Sequence, residues 1–250
     1  GINKQLSLGG KGESEYCVFC GRPYDYSFRT YSQLGGFSCP SCGYSRTAPD
    51  FSAEEIIDQT PDSSSVFADL NGKSAILNIN LGGVYNIYNA LAAAAALILF
   101  DTDVSSIENA FSSFSGAFGR MESFGSVRML LVKNPAGFTQ TVNYIYPLEI
   151  NNLVFVLNDN DADGKDVSWI WDAEINISDK VKNIYAFGIR SGDMALRLKY
   201  AGCDVSVIKN YDEFKKITDE ENTVIIPTYT AMMALRPYFA QKYKKDAFWK

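Results

Sequence analysis

Four cysteines in one short stretch constrain this chain more than any other feature. Cys17-Val-Phe-Cys20 and Cys39-Pro-Ser-Cys42 are separated by eighteen residues, which is the spacing of a four-thiolate zinc site. Two residues between cysteines let a tight turn aim both sulfurs at one ion, and two such turns complete a tetrahedron. Gly21 and Gly43 follow each pair, where a positive φ helps the knuckle close. With four protein ligands no position is left for a catalytic water, so the zinc predicted at Cys17, Cys20, Cys39 and Cys42 is structural. Two disulfides in a secreted chain are the competing reading, and no signal-like segment favours it. A redox pair would not need the second C-x-x-C. Between the pairs stand Tyr24, Tyr26, Phe28, Tyr31 and Phe37. Such aromatics stack bases in some ribbons, and in a ribbon of residues 16–48 they also serve as the whole apolar core. Cys203 stands alone before an apolar strand and reads as an inert buried thiol.

Histidine is absent from all 250 residues. A Ser-His-Asp or Cys-His pair, an HExxH zinc site and any imidazole base are therefore excluded within this chain. A net charge of −6 argues against a nucleic-acid partner, whose phosphates call for clustered Lys and Arg. Lys242, Lys244, Lys245 and Lys250 read as a solvated helix end, favourable at the negative pole of the dipole. With 46% hydrophobic and 21% charged residues the chain has a globular composition. No apolar run reaches the ~20 residues of a transmembrane helix. The first residue is Gly1, not Met, which raises the expectation of a fragment of something longer.

Along the chain, residues 73–80 read as a strand, Leu81-Gly82-Gly83 as a turn, and Val84–Phe100 and Val104–Phe114 as helices. Residues 115–119 look like an interdomain hinge. Beyond it strands and helices alternate. Strands are predicted at Val127–Val132, Leu153–Leu157, Asn183–Phe187, Asp204–Ile208 and Thr223–Ile226. Helices are predicted at Phe138–Tyr146, Asp193–Tyr200, Tyr211–Ile217 and Thr228–Lys244. This pattern predicts a mostly parallel, doubly wound sheet, with ligands beyond the carboxyl ends of its strands.

Three strand ends draw attention. Lys133-Asn134-Pro135-Ala136-Gly137 opens a helix. Residues 158–166 hold Asp159, Asp161, Asp163 and Asp166, a density that points to function, although Asx turns, caps or a cation site would use some of them. Gly188-Ile189-Arg190-Ser191-Gly192 sits where a helix N-terminus would favour an anion. Earlier, Asn86 and Asn89 fall on one helical face. They serve either N-terminal capping or recognition of a purine edge.

These residues resemble the Mur ligase superfamily. Gly83-Val-Tyr-Asn86-Ile-Tyr-Asn89-Ala-Leu-Ala-Ala is similar to its middle-domain motif, whose second asparagine approaches adenine. Gly119-Arg120-Met121-Glu122 is similar to its hinge, and Lys133-Asn134-Pro135 to its His-Asn-Pro turn, with lysine for histidine. The MurT-type subfamily is closer. It shares the four-cysteine ribbon and the phrases at 132–137 and 163–172 (Val-Lys-Asn-Pro-Ala-Gly and Asp-Gly-Lys-Asp-Val-Ser-Trp-Ile-Trp-Asp). The resemblance implies an α/β fold: residues 1–118 as part of a Mur ligase middle domain with the ribbon inserted, and 119–250 as its Rossmann-like C-terminal domain.

It also implies ATP and Mg2+ as cofactors, with Asn86, Asn89, Arg120, Lys133 and Asn134 on the nucleotide side. The reaction implied is amidation of D-glutamate in the lipid II stem peptide to D-isoglutamine. Ammonia derived from glutamine would come from a GatD-type glutaminase, to whose Cys-His site this chain lends an aspartate. Asp159 is the favoured candidate, then Asp161 and Asp163. Trp169 and Trp171 pack the loop or meet the partner. The expected location is the bacterial cytoplasm near the inner face of the membrane. A phosphate loop of the form Gly-x4-Gly-Lys-[Ser/Thr] is missing from these residues, so the fragment is expected to be inactive alone. Another Mur-type ligase, such as a folylpolyglutamate-like enzyme, and a non-catalytic zinc-ribbon docking fragment are the alternatives.

Overall fold

The computed structural model describes residue 2 and residues 15–31, 34–60, 62–114 and 121–244. The chain divides into two units, Gly1–Ser115 and Gly116–Lys250.

In the first unit, β1 (Asp25–Tyr31) and β2 (Leu34–Ser38) form the antiparallel hairpin between the cysteine pairs. A meander follows, of β3 (Phe51–Gln59), β4 (Ser64–Leu70) and β5 (Ser74–Ile79). Val66, Ala68 and Leu70 alternate inward on β4, as Ala75, Leu77 and Ile79 do on β5, because successive strand residues face opposite sides. Asn71 and Gly72 join these strands with φ of 57° and 82°, the paired positive values of a two-residue hairpin turn. Against this face lies α1 (Val84–Leu99), whose Ile87, Ala90, Leu91, Ala94 and Ile98 recur at helical spacing. Helix α2 (Val104–Ser113) adds Ile107. Its N-cap Asp103 accepts from Ser106 N at 2.8 Å. The Ser105 and Ser106 hydroxyls, which also bond to it, hold this carboxyl well below the ordinary range.

The second unit is a six-stranded sheet in the order β10-β9-β8-β11-β7-β6. Its strands are β6 (Glu122–Phe124), β7 (Val127–Met129), β8 (Ile150–Val156), β9 (Val181–Phe187), β10 (Val205–Val207) and β11 (Thr223–Pro227). All pairs are parallel except β6 with β7. Both faces are covered. Helices α3 (Pro135–Ile145) and α4 (Ser191–Tyr200), with a 3-10 turn at Ser168–Trp171, pack on Leu153 and Phe155. Helices α5 (Tyr211–Thr218) and α6 (Tyr229–Lys242) pack on Val154 and Val156. The near-continuous apolar run of β8 is the signature of a strand buried on both sides. Arg236 of α6 donates to both carboxylate oxygens of Glu122 at 2.8–3.2 Å, tying β6 to the last helix.

The five strands and four helices predicted for this half are all present, with ends moved by up to three residues. Strand β6 and the two strands at 51–70 were not predicted. The α/β class and the mostly parallel sheet stand as expected. Phe155 is fully buried and meets Phe138 edge-on at a centroid distance of 5.6 Å. Phe155→Ala is expected to cost about 3–5 kcal/mol, measured as a lowered urea midpoint followed by tryptophan fluorescence.

Candidate functional site

The ribbon is built from two equivalent knuckles. Cys17 N donates to Arg22 O at 2.7 Å and Gly21 N to Cys17 O at 2.8 Å. In the second knuckle Cys39 N donates to Tyr44 O at 2.7 Å and Gly43 N to Cys39 O at 3.0 Å. Gly21 and Gly43 hold φ of 68° and 77°, the left-handed backbone that favours glycine. These turns bring the four sulfurs within 4.8 Å of one another. Cys17 Sγ to Cys42 Sγ and Cys20 Sγ to Cys39 Sγ are 3.5 Å apart. That exceeds a disulfide bond of about 2.0 Å. It lies close to the ~3.8 Å edge of a zinc–thiolate tetrahedron. Burial raises the Cys17 thiol, but the N–H groups of Cys20 and Phe19 and the Cys42 thiol outweigh it and lower it to about 6. The Tyr44 N–H favours the Cys42 thiolate, yet the neighbouring Cys17, burial and Cys39 push that thiol up to about 12. Such crowding of sulfur charge is what a divalent cation relieves, so the donor set fits zinc. When bound, the ion cross-links the two knuckles. Tyr24, Phe37 and Tyr44 pack behind them with centroids 4.9–6.4 Å apart.

The second constellation lies at the carboxyl edge of the parallel sheet. Asn158 N donates to Thr228 Oγ1 at 3.0 Å, its Oδ1 accepts from Ile189 N at 3.0 Å, and its Nδ2 donates to Thr230 Oγ1 at 3.2 Å. One side chain thus joins the ends of β8, β9 and β11. Gly188, at φ 98°, has no room for a side chain, since a Cβ there would come within 2.6 Å of Leu157 O.

Asp159 Oδ2 accepts from Arg190 Nη1 at 3.1 Å, and Arg190 Nε donates to Asp193 Oδ2 at 2.7 Å. Arg190 holds the Asp193 carboxyl below its ordinary range. The two carboxylates raise the guanidinium further still. The Asp159 side chain keeps 23% of its surface open. Asp161 is 96% exposed and pairs with Lys165. Asp163 accepts from both the backbone N (2.8 Å) and the hydroxyl of Thr230, at the start of α6. Asp166 accepts from Ser168 N at 2.8 Å and enters the 3-10 turn. The acidic loop therefore divides: Asp163 and Asp166 fasten helix starts, Asp161 faces solvent, and Asp159 stands oriented at the sheet edge. Arg190, which the sequence placed beside an anion, has carboxylates as its anions.

The remaining candidates are placed as follows. Asn86 is buried and donates to Gly82 O at 2.7 Å, while exposed Asn89 donates to Asn86 Oδ1 at 3.3 Å. Asn134 is the N-cap of α3, accepting from Gly137 N at 2.7 Å, and Lys133 beside it is exposed. Arg120 lies outside the described residues. Trp169 packs edge-on against Phe138 at 5.9 Å, whereas Trp171 is exposed beside Tyr200.

Residues 131–232 match the family model described as MurT ligase C-terminal. Over 246 residues the chain is 33% identical to the lipid II isoglutaminyl synthase (glutamine-hydrolyzing) subunit MurT of Streptococcus pneumoniae. That alignment covers 92% of this chain and 54% of the relative. It is 35% identical over 231 residues to the subunit of the same name from Staphylococcus aureus (strain COL), covering 88% and 51%. The chain is a homologue of MurT. It spans about half the length of the curated MurT relatives it matches. A solved pseudomurein peptide ligase type C from Methanothermus fervidus superposes with a TM-score of 0.70 at 20% identity, over 96% of this chain and 52% of that one. The fold is thus shared with that peptide ligase.

In this MurT homologue the sequence missed Thr230, Arg190 as partner of Asp159, and Asp193. Only the alternation of strands and helices marked their position. Asp163→Ala is expected to destabilise the second unit by about 1 kcal/mol through loss of the α6 cap, read by urea unfolding. Metal analysis is expected to return about one zinc per chain, released as acid protonates the thiolates. A folded ribbon without metal would overturn the assignment.

Proposed function

We propose that this chain is part of the synthetase subunit of a glutamine-dependent amidotransferase that converts D-glutamate of the lipid II stem peptide to D-isoglutamine. Its C-terminal unit docks a GatD-type glutaminase and lends it Asp159. The observation carrying this reading is an aspartate fixed by Arg190 at the sheet's carboxyl edge, in a chain with no histidine. Its MurT relatives are named as glutamine-hydrolyzing.

A carboxylate so placed accepts the N–H of a partner's imidazole, fixes its tautomer and stabilises the imidazolium formed as a cysteine is activated. Asp163 is less suited, both its oxygens being held by Thr230, and freely solvated Asp161 would be poorly oriented. Arg190 is the positioning residue, since it grips Asp159 through one oxygen while Asp193 steadies its other side.

On the synthetase side, Asn89 stands exposed for an adenine edge while Asn86 locks the turn before α1. Asn134 presents the start of α3, with Lys133 beside it as a cation for a carboxylate or phosphate. ATP with Mg2+ supplies the activation of the carboxylate when bound, and glutamine-derived ammonia is the nucleophile. A phosphate loop is missing from these 250 residues, so activation draws on residues outside them. The reaction is placed at the cytoplasmic face of the bacterial membrane, where the lipid-linked substrate lies. No helix among the described residues is long and apolar enough to cross a membrane.

Asp159→Asn, in the complex with the glutaminase, is expected to lower glutamine hydrolysis at least about a hundredfold while the complex still elutes intact on size exclusion. Normal hydrolysis by this variant would remove Asp159 from the role.

A further inference from the structure

The ribbon carries more apolar surface than its own core uses. Val18 and Phe19, the two residues between the first cysteines, are 75% and 74% exposed, and Tyr16 and Tyr44 beside them are also exposed. A turn whose ends are both metal ligands holds its middle residues outward. Phe19 is braced rather than loose, resting edge-on against Tyr44 at 4.6 Å, and Val18 N donates to Tyr24 Oη at 3.1 Å. Arg22 is exposed just after the first knuckle, and Arg46 follows the second. Residues 16–24 and 36–49 hold no carboxylate, although the chain has a net charge of −6. The two arginines balance the excess thiolate charge of a zinc-loaded cluster, so an anionic surface would not repel this tip.

We propose that the tip of the first knuckle is a membrane-contact wedge. Val18 and Phe19 would enter the acyl boundary, with Tyr16 and Tyr44 at headgroup level and Arg22 facing headgroups of net negative charge. A rigid apolar tip ringed by tyrosine and arginine is the chemistry of an interfacial anchor. Aromatic rings with a polar end favour the headgroup region, and Arg keeps its charge in water while its stem is buried. A single contact of this size gives weak, reversible binding, suited to an enzyme that must leave one lipid-linked substrate for the next. The proposal rests on the reading of such a substrate for its setting, but its test requires neither catalysis nor a partner.

The zinc-loaded chain is sedimented with vesicles of phosphatidylglycerol and phosphatidylcholine, and with phosphatidylcholine alone. It is expected to bind both. The double substitution Val18→Ser with Phe19→Ser is expected to weaken binding about tenfold at unchanged zinc content. Arg22→Gln is expected to weaken binding about fivefold, on anionic vesicles only. Failure of the native chain to sediment, or undiminished binding by the double variant, would overturn the proposal. Binding of a single-stranded oligonucleotide that the double variant abolishes, without vesicle binding, would assign the tip to bases and overturn it equally. Should the double variant lose zinc, equal weakening of Arg22→Gln on both vesicle types or none on either overturns the assignment. Loss of glutamine hydrolysis in Asp159→Asn is read separately, so the two readings fail independently.

Discussion

The side chain of Asn158 holds the second unit's working edge together. Parallel strands pair only along their length, so where β8, β9 and β11 end, their backbone groups lose ladder partners and need others. The Asn158 side chain accepts from one of them, Ile189 N after β9, and donates to the Thr230 hydroxyl after β11, so it bonds to both segments at once. Asp163 adds a second clasp on Thr230. With those three ends fixed relative to one another, the loops leaving them cannot drift apart. Asp159 and Arg190 therefore meet, although they lie thirty-one residues apart in sequence. The position of the candidate carboxylate is a consequence of this stitching and not of the loop's own preferences.

Much of the architecture was legible in the chain. The alanine-rich run after Gly83 reads as a helix because its apolar residues recur at helical spacing. The β8 run reads as a strand with both faces covered because it is apolar without interruption from Leu153 to Leu157. Strand β3 hid for a physical reason: register irregularities at Ala53/Glu55 and Ile56/Asp58 break the two-residue alternation. Strand β4 had no such excuse, since its alternation and the Asn71-Gly72 turn were both readable.

The sites divide along the same line. The cysteine cluster is encoded by spacing within one ribbon, so counting residues was enough to find it. Asp159 was marked by its place after a strand, but its partner was not, because Arg190 becomes a neighbour only once β9 lies beside β8. Thr230 is still further removed, since β11 enters between β8 and β7 against the order of the chain. Long-range adjacency of this kind is written in the packing of both sheet faces and not in any local motif.

The pairing of Glu122 with Arg236 has a mechanical meaning. A two-pronged ion pair shielded from solvent is not loosened by salt as a surface pair is. It anchors the leading edge of the second unit to that unit's own final helix. Force arriving along the chain at residue 121 would be borne by this rivet before it could peel β6 from the sheet, so the unit would respond as a block and not by fraying from its first strand.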